Sequence, residues 1–378
     1  MNIAIDALSA SSYGGLHYLK DLVANILKVD QNTGYFIFVT KHNKQEFQFN
    51  GKNCHTLVCS FAGYNILCRL MWEQVVLPFI LRKYKIDSIF IPNGIDIFFS
   101  PARTTICIQN MEVFLFRRYH NSMMLNIRCF ILNILTKASL LTCDNVITVS
   151  DFVKEYIEKR LKISHRKIRR IYHGRDEDFL KPKTPEVLTM LSNKCEMKAD
   201  YIFCASKMVR YSNLHNLIRA FDIYNKKNSS NIRLLIAGGI WDKRYYAELQ
   251  DLVRDKGLKG KMHFLGLVSH SDMPALFWNA RLFAFPSTLE ACPITLIEAM
   301  TSGSMIITSN VDPMPEHCKD AALYFDPDDV EDIASKLEMG TDDKQLNKTF
   351  RSKALRRSGD FSWEKSAEET IEVLKGTE

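Results

Sequence analysis

Phe283–Gly303 reads FAFPSTLEACPITLIEAMTSG, and the order of its parts decides the fold. An apolar run ends at Pro286, a short polar loop follows, and apolar residues at helical spacing begin near Pro293. Proline suits that first helical turn, because the N–H it lacks would have no partner there. Glu290 falls in the loop, and Glu298 about 1.5 turns into the helix. The same strand–loop–helix order recurs outward in both directions. Toward the N-terminus lie YIFCAS, NLHNLIRAFDIYNKK, IRLLIAGG, YAELQDLVRDKGL (with Gly257 as a helix stop), KMHFLG and DMPALFWNA. Toward the C-terminus lie MIITS and a last helix from about Trp363 to Leu374. The first half repeats the pattern with NIAIDAL, YFIFVT, HTLVCS, IDSIFIPN, TTICIQN and NVITVS. Helical stretches follow at Leu19–Ile26 and Leu67–Lys83. Strands alternating with helices argue for parallel sheets covered on both faces, an α/β chain.

The chain has 378 residues, 46% hydrophobic and 25% charged, which excludes wholesale disorder and leaves room for two domains. The polar stretch YHGRDEDFLKPKTPE, with Pro182 and Pro185, is the candidate linker. The boundaries expected are 1–175, 176–360 and a closing helical segment, 361–378. No run reaches the ~18 uncharged apolar residues of a membrane span; Cys129–Cys143 comes nearest and contains Lys137. MNIAIDALSA has no basic leader and reads as a strand, and ten cysteines without a C-x-x-C pair suit reduced thiols, so a cytoplasmic protein is expected. Net charge is +7, unevenly placed: Met1–Tyr172 holds 22 Lys and Arg against 12 Asp and Glu, and the remainder 28 against 31. A basic first half attracts phosphate or an anionic membrane, or serves solubility alone. Nucleic acid fits poorly, since the second half is acidic and no aromatic stacking pattern is present.

In open parallel sheets ligands sit beyond the carboxyl ends of the strands, so the loops there are the candidate sites. The N–H groups around Ala291, Cys292 and Ile294, with Pro293 between them, suit a phosphate or a sugar hydroxyl. A carboxylate at Glu298 suits a ribose diol, or is a solvated helix face; Glu290 suits sugar hydroxyls, or partners the helix dipole. Gly14–Gly15 and Gly238–Gly239 allow close backbone approach to a ligand, or are tight turns. No cluster of metal-ligating residues is evident.

The E-x7-E spacing from Glu290 to Glu298, with EAM, SG, PMPE and YFDPDD after it, resembles glycosyltransferase family 4. WEQVVLP, DNVITVSDFVKEYI, YHGRDEDF, YSNLHNLIRAF, LLIAGG, FLG and FPS extend the resemblance over nearly the whole chain. It implies the GT-B fold: two Rossmann-like doubly wound domains facing a central cleft, the first binding acceptor and the second a nucleotide-sugar. It implies a retaining, metal-independent sugar transfer to an acceptor hydroxyl, of the kind that builds O-antigen or capsule. The acceptor is then a glycan, lipid-linked in some relatives, met at the inner face of the cell membrane.

Residue by residue, the resemblance puts Glu298 on the nucleotide ribose and Glu290 on the transferred sugar as the catalytic carboxylate. Backbone at Ala291, Cys292, Pro293 and Ile294 holds the distal phosphate and sugar. Gly14, Gly15, Gly238 and Gly239 lie against the donor. The family pattern R-Y-K-N reads Arg210-Tyr211-Ser212-Asn213 here, so Arg210 or the nearby Lys207 must supply the charge that Ser212 does not. Gln109 and Asn110 stand where relatives carry a His or Asp near the sugar, and neither relays a proton at neutral pH. Two other readings stay open: a nucleotide-sugar epimerase of the same fold, which needs no acceptor, and a non-catalytic nucleotide-sugar-binding partner in a polysaccharide assembly. The basic, apolar run VFLFRRYHNSMMLNIRCFILNILTKASLL is a core helix or a segment lying on an anionic bilayer.

Overall fold

Short β-branched and aromatic runs become the buried strands of two parallel sheets, each in its own unit. The computed structural model describes residues 1–10, 13–116, 123–181, 200–228 and 231–376. The linker prolines Pro182 and Pro185 lie outside the described residues, as do Arg117, Arg118 and His120. One unit comprises Met1–Gly174 with Ser362–Glu378, and the other Arg175–Phe361.

The first sheet contains β1 (Asn2–Asp6), β2 (Gly34–Val39), β3 (Cys54–Val58), β4 (Ser88–Ile91), β5 (Arg103–Ile108), β6 (Asn145–Thr148) and β7 (Ile168–Arg170). Its order is β3-β2-β1-β4-β5-β6-β7, all parallel. The second contains β8 (Tyr201–Ala205), β9 (Arg233–Ala237), β10 (Met262–Gly266), β11 (Leu282–Phe285), β12 (Ile306–Ser309) and β13 (Leu323–Phe325), in the order β10-β9-β8-β11-β12-β13. Each order reverses once, at β1/β4 and at β8/β11. The reversal sends crossovers to both faces of each sheet, which makes both units doubly wound and opens a crevice at the carboxyl ends of those pairs.

Three departures from the sequence expectation have physical causes. The first helix begins at Tyr13, so Gly14 and Gly15 occupy its first turn and not a preceding loop. The helical run at Leu67–Lys83 is broken into Ile66–Met71, a π turn at Trp72–Val76 and Leu77–Lys83. Pro78 lacks the N–H that would bond four residues back, and the Leu77 N–H reaches five residues back, to the Trp72 carbonyl. The wide turn buries Trp72 and Glu73 while leaving Leu67, Met71, Val75 and Phe79 exposed. Finally, residues past β13, unassigned from sequence, form the helices Val330–Asp342 and Lys344–Ser358.

The helix Trp363–Lys375 packs on the helix Tyr13–Val29 of the first unit. His173, buried, sits 4.3 Å from the Tyr18 ring and stacks on Trp363. Ser366 donates to the Tyr172 carbonyl, and Lys375 pairs with Asp30 at 2.6 Å. No helix among the described residues is long and apolar enough to cross a membrane.

Gly238 has a reason to be glycine in its own packing. Its φ is +148°, and a Cβ there would stand 1.8 Å from the Ser206 carbonyl oxygen of the loop beyond β8. The neighbouring backbone already demands the missing side chain. Gly238→Ala is expected to cost about 3 kcal/mol of stability, read as a lower midpoint in urea unfolding followed by circular dichroism; an unchanged midpoint would contradict that packing.

Candidate active site in the second unit

The loops beyond β8 and β11 are stitched together by their own polar groups. The Thr288 N–H donates to the Tyr211 carbonyl at 2.8 Å, and its hydroxyl donates to the same oxygen at 3.1 Å. Ser287, fully buried, donates to Glu290 Oε1 at 2.9 Å, while its own carbonyl accepts from Ser309 at the end of β12. Glu290 is therefore held by its loop before any ligand arrives. Burial pushes its carboxyl up to about 7, against the pull of the Ser287 hydroxyl and of the Lys207 charge.

Glu298 projects from the helix Ile294–Thr301, with its side chain 12% exposed. His270, in the loop after β10, holds Asp176 at 2.8 Å through Nε2 and faces Glu298 Oε1 at 4.0 Å through Nδ1. Burial raises the Glu298 carboxyl to about 7; His270 works to lower it and Asp176 to raise it. Asp176 is brought there because Phe179 is fully buried in the second unit, 5.7 Å from Phe277, with its carbonyl bonded by Trp278 Nε1 at 2.8 Å. The stretch that reads as polar linker thus delivers a carboxylate to the site. Sequence reasoning missed both Asp176 and His270; the one signal was Phe179, an aromatic side chain in an otherwise polar run.

The two basic candidates separate. Arg210 forks onto Glu248 at 2.8 and 2.6 Å and lies over the Tyr245 ring, so its charge is already engaged. Lys207 lies 5.0 Å from the Trp241 ring centroid and is the cation whose field reaches Glu290. Ser212 is 1% exposed and accepts from the Ser206 hydroxyl at 2.9 Å, a place that a lysine ammonium would have to leave. The Ile294 N–H donates to the Cys292 carbonyl at 3.0 Å, so that amide is not an open donor. Gly239 lies against Leu267 and Trp241. Among the described residues no group of three His, Cys, Asp or Glu is arranged to hold a metal ion.

In the first unit Gln109 donates to the Pro92 carbonyl at 3.1 Å, linking the ends of β5 and β4, and Asn110 accepts from the Glu112 N–H at 2.8 Å. Gly14 has open space where a Cβ would stand. At the end of β1, buried Asp6 accepts from the Leu8 N–H, and buried Glu73 faces Arg69 at 3.3 Å. Burial pushes both carboxyls up, against the pull of the Arg69 charge.

Known proteins match along the whole of this arrangement. The family described as Glycosyltransferase Family 4 matches residues 36–179, and Glycosyl transferases group 1 matches 192–357. The first part of the chain thus matches a family 4 glycosyltransferase domain and the second a group 1 glycosyltransferase domain. The O-antigen chain mannosyltransferase B of Escherichia coli is 26% identical over 231 residues, 61% of this chain and 60% of that one. The O-antigen chain mannosyltransferase RfbU of Salmonella typhimurium is 32% identical over 206 residues, 54% of this chain and 53% of that one. The chain thus spans little more than half the length of these curated relatives. Anabaena HepE, solved in complex with UDP and glucose, matches with a TM-score of 0.76 at 16% identity, covering 100% of both chains. The family named from sequence is the one whose model matches residues 36–179, and the fold is that of the solved HepE.

The raised Glu298 carboxyl has a consequence for stability. An acid whose pKa goes from about 4.5 unfolded to about 7 folded favours the folded state fully below pH 4.5, and that contribution is lost as pH rises through 7. Glu298→Gln removes the titration. Its melting temperature should gain on the unsubstituted protein between pH 5 and pH 8, by up to about 3 kcal/mol in stability. A melting-temperature difference that is the same at both pH values would count against the buried carboxyl.

Proposed function

We propose that this chain is a retaining glycosyltransferase that moves a sugar from a nucleotide-sugar donor to an acceptor hydroxyl during surface polysaccharide synthesis, O-antigen or capsule. The observation that carries the reading is the placement of Lys207, Glu290 and Glu298 beyond the strand ends flanking the β8/β11 reversal, with Glu290 held by Ser287 of its own loop and Glu298 on the following helix facing His270. In this reading the second unit binds donor. Glu298, backed by His270 and Asp176, accepts from the ribose diol. Lys207 faces the diphosphate, with Arg210 kept on Glu248. Glu290 meets the transferred sugar where positive charge develops, and Lys207 offsets the charge of the leaving phosphate. The backbone at Ala291 and Cys292 completes the sugar and phosphate contacts, and Gly239 leaves room for the donor. The first unit takes a glycan acceptor, with Gln109 and Asn110 as candidate hydroxyl partners. Two relatives named as O-antigen mannosyltransferases make a mannosyl donor the first to test, and the UDP in the HepE complex makes UDP the first comparison.

A melting-temperature panel of UDP, GDP, dTDP, ADP and their sugar conjugates tests the donor site. One base should stabilise the protein, by about 2.7 kcal/mol at a hundredfold excess over Kd. Lys207→Met should then weaken that nucleotide tenfold or more in calorimetry, and Arg210→Met less, because Arg210 is spent on Glu248. No shift from any member, or the reverse order of the two variants, would overturn the assignment.

The first unit also supports a peripheral role at the inner face of the cell membrane, where a lipid-linked acceptor would lie. Leu67, Met71, Val75 and Phe79 are each more than half exposed at intervals of four residues. Ile127, Phe130, Ile131, Ile134 and Leu141 line an exposed stripe of the helix Met123–Thr142. An apolar surface on a unit with a basic excess suits an anionic bilayer. In vesicle flotation the protein should rise with anionic liposomes at low salt and fall back as salt screens the charge; no lipid-dependent flotation would remove the membrane from this reading.

A further inference from the structure

Among the described residues, Cys292 differs from the other thiols. Its side chain is half-buried in the loop between Glu290 and the helix Ile294–Thr301, and its Sγ lies 3.6 Å from Nε2 of His317. His317 is fully buried on the short helix Met314–Cys318, and its Nδ1 lies 2.9 Å from the Pro313 carbonyl oxygen. A carbonyl oxygen only accepts, so Nδ1 carries the ring proton and Nε2 presents its lone pair to the thiol. The ring cannot readily turn away from that arrangement. It stacks on Phe361 with centroids 5.7 Å apart and planes 5° from parallel, and Arg357 Nε bonds its backbone carbonyl at 2.7 Å. Nucleophile, base and a third group that orients the base are thus in line, the arrangement that activates a cysteine. By contrast burial pushes the thiols of Cys59, Cys107, Cys143 and Cys318 up to about 12, and raises those of Cys54, Cys129 and Cys204.

We infer that Cys292 is an activated nucleophile, a site of covalent modification by carbon electrophiles, with His317 as its base and the Pro313 carbonyl fixing the tautomer. The step balances within the pair and the reagent. The Sγ proton passes to His317 Nε2. The thiolate attacks the electrophilic carbon, and with iodoacetamide the S–C bond forms as the C–I bond breaks and iodide leaves. The imidazolium then returns its proton to water. The charged and titratable groups around the pair are Arg357 with its ion-pair partner Asp360, Glu316 and Cys318 on the His317 helix, and Glu290 on the Cys292 loop.

The test is limiting iodoacetamide on the full native chain, with labelled peptides quantified by mass spectrometry from pH 5.5 to 9. Half-buried Cys68 is the internal comparator. Cys292 should be labelled at least tenfold faster than Cys68 at pH 7, with its rate rising at lower pH than that of Cys68. His317→Phe keeps an aromatic ring on Phe361 but removes the base; it should bring Cys292 down to the Cys68 rate and leave Cys68 unchanged. A wild-type profile in which Cys292 follows Cys68 at every pH overturns the proposal, and that result needs no variant to fold. A Cys292 rate untouched by His317→Phe in a folded variant overturns the role of His317.

Discussion

A single oxygen, the Tyr211 carbonyl, takes two hydrogen bonds from Thr288 and so joins the loop after β8 to the loop after β11. Those two strands are sequence-distant but adjacent in the sheet, because the chain order reverses between them. The reversal leaves their loops diverging from a common edge, and a diverging pair has to be fastened if it is to hold side chains at fixed separation. The Thr288 bonds and the Ser287 bridge to Glu290 do this without any ligand. Lys207 on one loop and Glu290 on the other are related through that fastening, so the electrostatics of the site is a property of the folded second unit by itself.

Much of this was legible in the residues, and the reasons for the exceptions are specific. Strand–loop–helix order gave both parallel sheets, and the carboxyl-end rule pointed to the loops at Lys207 and Glu290. The break at Pro78 was not read, because apolar spacing continues through it; only the missing N–H of the proline marks the π turn. Asp176 and His270 were not read because they meet across about ninety residues, and nothing local in a polar stretch announces that Phe179 will be buried. The glycine pairs turned out to have local roles that their spacing did not announce: Gly238 answers to the Ser206 carbonyl, and Gly14 sits in a helix.

The R-Y-S-N sequence also acquires a physical account. A lysine in place of Ser212 would start from a buried position bonded to Ser206 and would have to extend past that packing. Arg210, though present, is turned toward Glu248 and Tyr245, where two carboxylate contacts and a ring face satisfy it. The positive charge felt by Glu290 comes from Lys207, three residues earlier.

The helix Trp363–Lys375 belongs to the unit that starts at Met1, and the Cα of Gly174 lies so close to Trp363 that a Cβ would fall 2.2 Å from its backbone nitrogen. The first unit is therefore discontinuous in the chain, with the whole second unit inserted before its last element. During synthesis from the N-terminus the residues of the second unit are all present before the first has its closing helix. The half that begins first is completed last. Until then, the surface of the helix Tyr13–Val29 that the closing helix covers stays open, along with Tyr18 and His173, and the nascent chain carries an exposed apolar seam for the time needed to make roughly two hundred residues.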